Sequence, residues 1–92
     1  MRVRLFFFLR DAAGQDEVTI PADAAPCLRE LVRVLSERFG ERFSRQLVTE
    51  TGEIRNDVNI LVNGRNVQFL SGADTQLKDE DTVSFLSAVA GG

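Results

Sequence analysis

The last three residues, Ala90-Gly91-Gly92, are the part of this sequence whose composition suggests chemistry. Glycine has no Cβ, so a backbone made of it can enter a narrow channel where other residues would clash. The group that such a segment would deliver is the α-carboxylate of Gly92. A carboxylate does not react with nucleophiles until it is activated, for example as an acyl-adenylate. We therefore interpret the tail as a modifiable terminus, and an incidental, frayed end is the alternative.

The rest of the chain lacks the residues that would activate such a group. There is no histidine, which removes the commonest general base and the commonest metal ligand. The single cysteine excludes an internal disulfide and a cysteine-rich zinc site. Neither the G-x-x-x-x-G-K-[ST] loop nor the G-x-G-x-x-G loop is present. We predict a protein that is not an enzyme and binds no metal or cofactor itself, so a partner would have to bind ATP.

Two further groups of reactive side chains have ordinary structural explanations. Cys27 lies near the start of a predicted helix, where a thiol can become reactive, but a small apolar residue of the core is the favoured interpretation. Asp79, Glu80 and Asp81 are consecutive carboxylates in a predicted loop, and we interpret them as an exposed turn rather than a metal site. Lys78 is the one lysine of the chain and leaves little scope for lysine-linked chains.

Length and composition indicate one domain of residues 1–92 with a flexible Gly-Gly tail. The chain has 92 residues, of which 43% are hydrophobic and 27% charged, as in ordinary globular proteins. A net charge of −3 argues against nucleic-acid and anionic-membrane binding. The longest apolar run, Leu5 to Leu9, is far shorter than the ~20 residues of a spanning helix. No signal peptide is recognisable, so we predict a cytoplasmic protein.

Hydrophobic periodicity predicts five strands and one main helix. Apolar residues of 26–39 recur at helical spacing, with Pro26 in the first turn and Gly40 after the end. Residues 41–57 form a long connection with a short helical turn at 43–47. Asn63-Gly64 is a strong signal for a hairpin. The predicted strands cover residues 3–10, 17–21, 58–62, 66–70 and 82–89.

The predicted order is β-β-α-β-β-β, an α+β fold with a mixed sheet. The first and last strands are the most apolar, so we place them side by side in the centre. A crossover connection separates them, which permits a parallel pair.

Strand alternation then predicts an exposed apolar patch beside the tail. If Val3, Leu5, Phe7 and Leu9 face the helix, the residues between them face away from it. A patch of this kind on a small protein usually marks an interface. The patch that we predict consists of Phe6, Phe8, Leu61 and Leu86.

The sequence resembles the ubiquitin-like β-grasp sulfur carriers of the MoaD/ThiS group over essentially its whole length. The similar segments are the opening at 4–14, the hairpin at 58–64, the loop and strand at 77–84, and the closing Ala88-Val89-Ala90-Gly91-Gly92. From Asp57 onward the chain is also similar to CysO, a sulfur carrier of cysteine biosynthesis, and to archaeal small modifier proteins. Many MoaD proteins have Pro residues just before the tail, whereas this chain has Leu86-Ser87-Ala88-Val89.

The resemblance implies a β-grasp fold and a mechanism. An E1-like adenylating enzyme of the MoeB/ThiF type would adenylate the Gly92 carboxylate with Mg-ATP, and sulfur would then replace one oxygen to give a thiocarboxylate. In the MoaD case the acceptor is the molybdopterin precursor, held by a MoaE-type large subunit of molybdopterin synthase. Partners in the family dock on the sheet face that carries the predicted patch. The protein would be a carrier that contributes no catalytic side chain.

The sequence leaves three functions open. We expect a sulfur carrier that acts as the MoaD-like small subunit of molybdopterin synthase in molybdenum cofactor biosynthesis. The alternatives are a sulfur carrier for cysteine, thiamine or tRNA thiolation, a modifier joined to lysines of other proteins, and a binding domain whose Gly-Gly is incidental. The carrier and the modifier share the same adenylate, so the residues alone do not separate them.

Overall fold

The computed structural model describes residues 1–87, with Ser87 described in its backbone only. Within these residues, five strands form one sheet in the spatial order β2-β1-β5-β3-β4. The same part of the chain contains three helices beside the sheet and two short 3₁₀ turns after β4. The strands are Arg2–Phe6 (β1), Glu17–Thr19 (β2), Val58–Val62 (β3), Arg65–Asn66 (β4) and Thr82–Ser87 (β5). The helices are Phe7–Ala13 (α1), Leu28–Phe39 (α2) and Glu41–Leu47 (α3).

The predicted fold class and the central strand pair are confirmed. β1 runs parallel to β5, with Val3 opposite Val83 and Leu5 opposite Phe85. These are among the most buried residues of the molecule, because the two strands lie in the middle of the sheet under the helices. The outer neighbours β2 and β3 are antiparallel to them.

Helix α2 forms where the periodicity predicted it and begins two residues later, at Leu28. Its apolar stripe is buried against the sheet, while Arg33 on the opposite face pairs with Glu30 and Glu37. The backbone N–H of Gly40 bonds to the Ser36 carbonyl and closes the helix. Gly40 has φ 90°, a conformation that side chains disfavour. The buried stripe comprises Leu28, Leu31, Val32 and Leu35.

The first strand is shorter than predicted, which is the main correction to the sequence-based fold. β1 ends at Phe6 and α1 follows at once, so residues 7–10 are helical. Leu9, Ala12 and Ala13 have the i, i+3, i+4 spacing of a helix face, and each is buried or half-buried. Gly14, in the left-handed conformation, donates its N–H to the Arg10 carbonyl and ends α1. Tertiary packing of this face therefore prevails over the β-like appearance of the Phe-Leu run.

The remaining differences lie in the connections. The helical turn expected at 43–47 is a full helix, α3, and its Phe43 ring lies 5.1 Å from the Phe39 ring of α2. The return strand predicted for 66–70 is only two residues long, because a 3₁₀ turn at Val67–Phe69 replaces the rest. The Asn66 side chain accepts a bond from the Gln68 backbone N–H and starts that turn.

The Asn63-Gly64 hairpin forms as predicted, with φ 53° and 86° at its two residues. The expectation that residues 79–81 are an exposed turn holds only in part, because Asp81 is buried. Its carboxylate accepts bonds from the Asn63 side chain at 2.9 Å and from the Lys78 backbone N–H at 2.8 Å. Asn63 also accepts from the Thr82 backbone N–H. This network fastens the hairpin to the start of β5.

The core lies between the inner face of the sheet and the helices. Its largest fully buried side chains include Phe43, Phe85, Leu5 and Leu9.

Among the residues described, none of the helices is long and apolar enough to cross a bilayer.

Candidate functional site

The candidate site is the end of β5, where the chain leads toward residues 88–92. β1 and β5 are parallel, so both strands end at the same edge of the sheet. Phe6 is the last residue of β1 and lies opposite Leu86, the penultimate residue of β5. On the other side Ser87 lies opposite Val58, the first residue of β3. The strands that flank β5 therefore surround the point from which the tail continues.

Three of the four predicted patch residues share the sheet face that points away from α2, which we call the outer face. Phe6 and Leu86 are direct neighbours across β1 and β5. Leu61 lies opposite Ser84, so it is the diagonal neighbour of Leu86 on β3. All three side chains are half-buried. We call Phe6, Leu61 and Leu86 the outer patch.

Phe8 does not lie on β1, and the strand alternation used to predict its direction was wrong for it. It is the second residue of α1, and its side chain is 44% exposed. Phe7, predicted to face the core, begins α1 with φ 56° and is 43% exposed. Because α1 starts directly after Phe6, both residues remain at the edge of the sheet where β1 and β5 end.

Charged residues border the outer patch. The Arg4 guanidinium carbon lies 5.2 Å from the centre of the Phe6 ring, within the range of a cation–π contact. Arg2, further along the same face of β1, forms an ion pair of 2.9 Å with Glu17 of β2. The outer face thus combines an apolar end near Leu86 with an arginine-bearing middle, an arrangement suited to a partner that has apolar and acidic groups.

A second charged pair lies at the start of β3, next to the end of β5. Arg55 binds the Asp57 carboxylate through two nitrogens, at 3.0 and 2.9 Å. Hydrogen bonding to Arg55 lowers the pKa of Asp57 below its ordinary value of 3.8. Arg55 also donates to the Arg45 carbonyl, which connects α3 to this edge of the sheet.

Cys27 and the carboxylates of 79–81, weighed above as a reactive thiol and a metal site, make ordinary structural contacts. Cys27 is half-buried and precedes α2 as its N-cap residue, and its backbone bridges to Gln76. Asp79 accepts a bond from the Ala22 backbone N–H at 2.7 Å. Within residues 1–87, no three His, Cys, Asp or Glu side chains are grouped closely enough to hold a metal ion.

The predicted tail residues Ala90, Gly91 and Gly92 lie outside the described residues.

Sequence reasoning missed one prominent surface residue. Phe69 was placed in a strand, but it ends the 3₁₀ turn after β4 and is 85% exposed. The signal that could have found it is Asn66, whose side chain favours a local turn over a ladder. Phe69 lies beyond the β4 edge, whereas the outer patch adjoins the end of β5.

Three comparisons relate this chain to known proteins. Small archaeal modifier protein 3 of Haloferax volcanii is 34% identical over 92 residues, which span this whole chain and 98% of that protein. A candidate sulfur carrier protein of Archaeoglobus fulgidus is 34% identical over 79 residues, 86% of this chain and 88% of that one. The crystal structure of the Amycolatopsis orientalis BexX/CysO complex contains a chain with a TM-score of 0.80 and 28% identity, covering 99% of this chain and 98% of that one.

The fold agrees with the β-grasp, ubiquitin-like architecture, and these relatives are small proteins of nearly the same length. The ThiS family model matches residues 3–92, which is almost the entire chain. The chain therefore belongs to the ThiS family, a family of ubiquitin-like sulfur carriers and modifiers.

Proposed function

We propose that this protein is a sulfur carrier whose Gly92 carboxylate is activated by an E1-like enzyme of the MoeB/ThiF type. The observation that carries the proposal is the family match through residue 92, on a chain whose central strand leads directly into residues 88–92. The proposal takes Gly92 as the carboxyl terminus in the cell and residues 1–92 as one domain in the cytoplasm. An intact-mass measurement of the native protein tests the first of these points.

The chemistry follows from the carboxylate. The Gly92 oxygen attacks the α-phosphate of Mg-ATP on the partner, and pyrophosphate leaves. Sulfide then attacks the acyl carbon and AMP leaves with one of the former carboxylate oxygens, so the sulfur remains as a thiocarboxylate with no change of oxidation state. Every charged substrate group is held by the partner, so this chain supplies only the acyl group and the surface that presents it.

The outer patch is the surface that we propose for docking this partner. Phe6 and Leu86 are adjacent to each other and to the end of β5, so a protein that covers them also receives the tail. The patch is apolar, and Arg4 beside it offers a positive charge to an acidic rim on the partner. Phe8, at the start of α1, extends this surface around the edge of the sheet.

A pyrophosphate-exchange assay tests the activation step. An E1-like enzyme from the same organism, Mg-ATP and labelled pyrophosphate should give label in ATP only when the carrier is present. Deleting Gly91 and Gly92 should abolish the exchange, and retained exchange would sink the proposal. Phe69→Ala, at the exposed position beyond β4, is a control that should exchange normally.

We propose a MoaE-type large subunit as the acceptor, with this protein as the MoaD-like small subunit of molybdopterin synthase. The support is the resemblance of the opening 4–14 and of the terminal Ala90-Gly91-Gly92 to MoaD proteins. Thiocarboxylated protein mixed with a MoaE-type subunit and the molybdopterin precursor should return to its carboxylate mass as molybdopterin forms. The thiocarboxylate could instead persist in this mixture and be consumed by a cysteine, thiamine or tRNA thiolation system. That result would exclude the molybdopterin pathway and support the carrier function.

A second candidate function is protein modification, favoured by the 34% identity with small archaeal modifier protein 3 over the whole chain. The same adenylate would then be attacked by a lysine amine of a target, with formation of an amide and loss of AMP. Epitope-tagged protein expressed in its own host should give adducts that survive a denaturing, reducing gel. Adducts that disappear with the Gly92 deletion support the modifier, and a gel with free protein alone argues against it.

A further inference from the structure

This chain has few amino groups, and they differ in their exposure to solvent. Lys78 is the only lysine, and all other basic side chains are arginines. A guanidinium stays protonated at physiological pH and does not act as an acyl acceptor. The α-amino group of Met1 donates to the Ile20 carbonyl, and Met1 is 4% exposed. Of the amines in the described residues, Lys78 alone is offered to solvent.

The backbone of Lys78 is held firmly although its side chain is exposed. Its N–H donates to the buried Asp81 carboxylate at 2.8 Å, and its carbonyl accepts from the Asp81 N–H at 3.0 Å. These two bonds close a four-residue turn. Asn63 donates to the same carboxylate, so the turn is fixed to the β3–β4 hairpin as well. Lys78 is therefore presented from a rigid site, which lowers the entropic cost of positioning it for attack.

The Lys78 ammonium takes part in none of the ion pairs among the described residues. Several arginines, by contrast, are bound to carboxylates, among them Arg2, Arg29, Arg33, Arg45 and Arg55. An amine bound in such a pair would have to break it before reacting. Within residues 1–87, Lys78 has no such pair to break.

The position of Lys78 in the sheet also matters. It lies four residues before β5, at the end of the strand opposite to the one that leads toward Gly92. At about 3.3 Å per residue, β5 separates the two ends by roughly 15–20 Å. A second copy that acylates Lys78 would therefore lie at the end of β5 opposite to Phe6 and Leu86 of the acceptor. Such head-to-tail contact uses two different surfaces and can be repeated.

We propose that Lys78 is the site at which this protein is modified by a second copy of itself. The inference rests on the proposed activation of Gly92. Deprotonated Lys78 Nζ of one copy attacks the acyl carbon of the Gly92 adenylate of another. An amide forms, AMP leaves, and the lysine proton passes to water. The sequence alone suggests little scope for lysine-linked chains, but the exposure of Lys78 and its fixed turn lead us to a chain of copies with a single type of linkage, Gly92 to Lys78.

The test uses the full-length protein with the E1-like enzyme of its own organism and Mg-ATP, without a sulfur source. A denaturing, reducing gel should show a ladder of dimers and higher adducts. Trypsin cleaves after Arg65 but not after an acylated lysine. The diagnostic product is therefore a branched peptide, residues 66–92, that carries residues 79–92 of the donor on Lys78.

Lys78→Arg is the decisive variant, because it keeps the positive charge and removes the nucleophile. It should lose the ladder while forming the thiocarboxylate as well as the wild type does when sulfur is supplied. A ladder that persists in Lys78→Arg, a branch on the Met1 amine, or a cyclised monomer lighter by one water would overturn the proposal. So would the absence of any ladder from protein that forms the thiocarboxylate normally, whereas failure to form the thiocarboxylate itself would count against the proposed function.

Discussion

Phe6 and Leu86 lie directly opposite each other on the central parallel strands, on the face of the sheet that points away from α2. β1 ends at Phe6 and β5 continues toward the tail, so this pair is the last apolar contact of the outer face before residues 88–92. A partner that buries the pair is thereby placed beside the end of β5, from which the chain continues to residues 88–92. The proposed function depends on this adjacency.

The first prediction concerns that pair. Leu86→Arg should weaken binding to the E1-like enzyme by about tenfold to a hundredfold, because interface anchors of this size contribute about 2 kcal/mol or more. Titration calorimetry or a pull-down at graded concentrations measures the loss. Phe69→Ala is the control, since it removes a side chain that is 85% exposed beyond β4. Equal binding by Leu86→Arg and wild type would exclude the outer patch as the docking surface.

The second prediction tests the assignment of residues 7–13 to a helix. Leu9 is fully buried on α1, so Leu9→Ala should lower the free energy of unfolding by about 2–5 kcal/mol. Phe8→Ala should cost clearly less, because Phe8 is 44% exposed on the same helix. Urea unfolding followed by circular dichroism gives both values. A larger loss for Phe8→Ala than for Leu9→Ala would contradict the packing of α1.

The third prediction concerns the network around Asp81. Asp81→Asn puts a second amide donor against the Asn63 side chain or the Lys78 N–H, both of which need an acceptor. Both hydrogen bonds are only part-buried, so leaving one donor unsatisfied should lower the free energy of unfolding by about 1 kcal/mol, the lower end of the range for buried donors. Glu80→Gln, on the exposed neighbouring residue, should stay within about 0.5 kcal/mol of the wild type. Equal unfolding midpoints for the two variants would show that the network adds nothing to stability.

The fourth prediction is a pH dependence. The pKa of Asp57 is lowered in the folded state, chiefly by its hydrogen bonds to Arg55. Its contribution to stability is therefore complete above the unfolded pKa, near 3.8, and is lost as the pH falls through the lower folded value. The pair is well exposed, so Asp57→Asn should lower the free energy of unfolding by about 0.2–1 kcal/mol at pH 7. Urea unfolding at pH 7 and pH 3 should show this difference shrinking at the lower pH, and a difference that grew would contradict the assignment.

The elements that could be predicted from the sequence are those with a single strong signal. Three features formed as expected: the stripe of α2, the Asn63-Gly64 turn and the side-by-side placement of the first and last strands. Each depends on a local period, a turn conformation or the burial of the most apolar segments. For the same reasons three of the four predicted patch residues share one face.

The elements that could not be predicted depend on contacts between distant residues. Residues 7–9 look like a continuation of the first strand, but they form a helix in which Leu9 packs among residues of the core. Helix α3, predicted only as a short turn, buries Phe43 and Leu47 and packs against α1 as well as α2. The burial of Asp81 requires Asn63, 18 residues earlier in the chain, so a local reading of 79–81 gave only an exposed turn.

The most direct test of the central claim is the intact mass of the protein after incubation with Mg-ATP, the E1-like enzyme and a sulfur source. The account predicts a gain equal to the exchange of one oxygen for one sulfur, located by fragmentation at Gly92. The gain should be absent without ATP and in the protein that lacks Gly92. An unchanged mass with an E1-like enzyme that thiocarboxylates another carrier in the same tube would contradict the account.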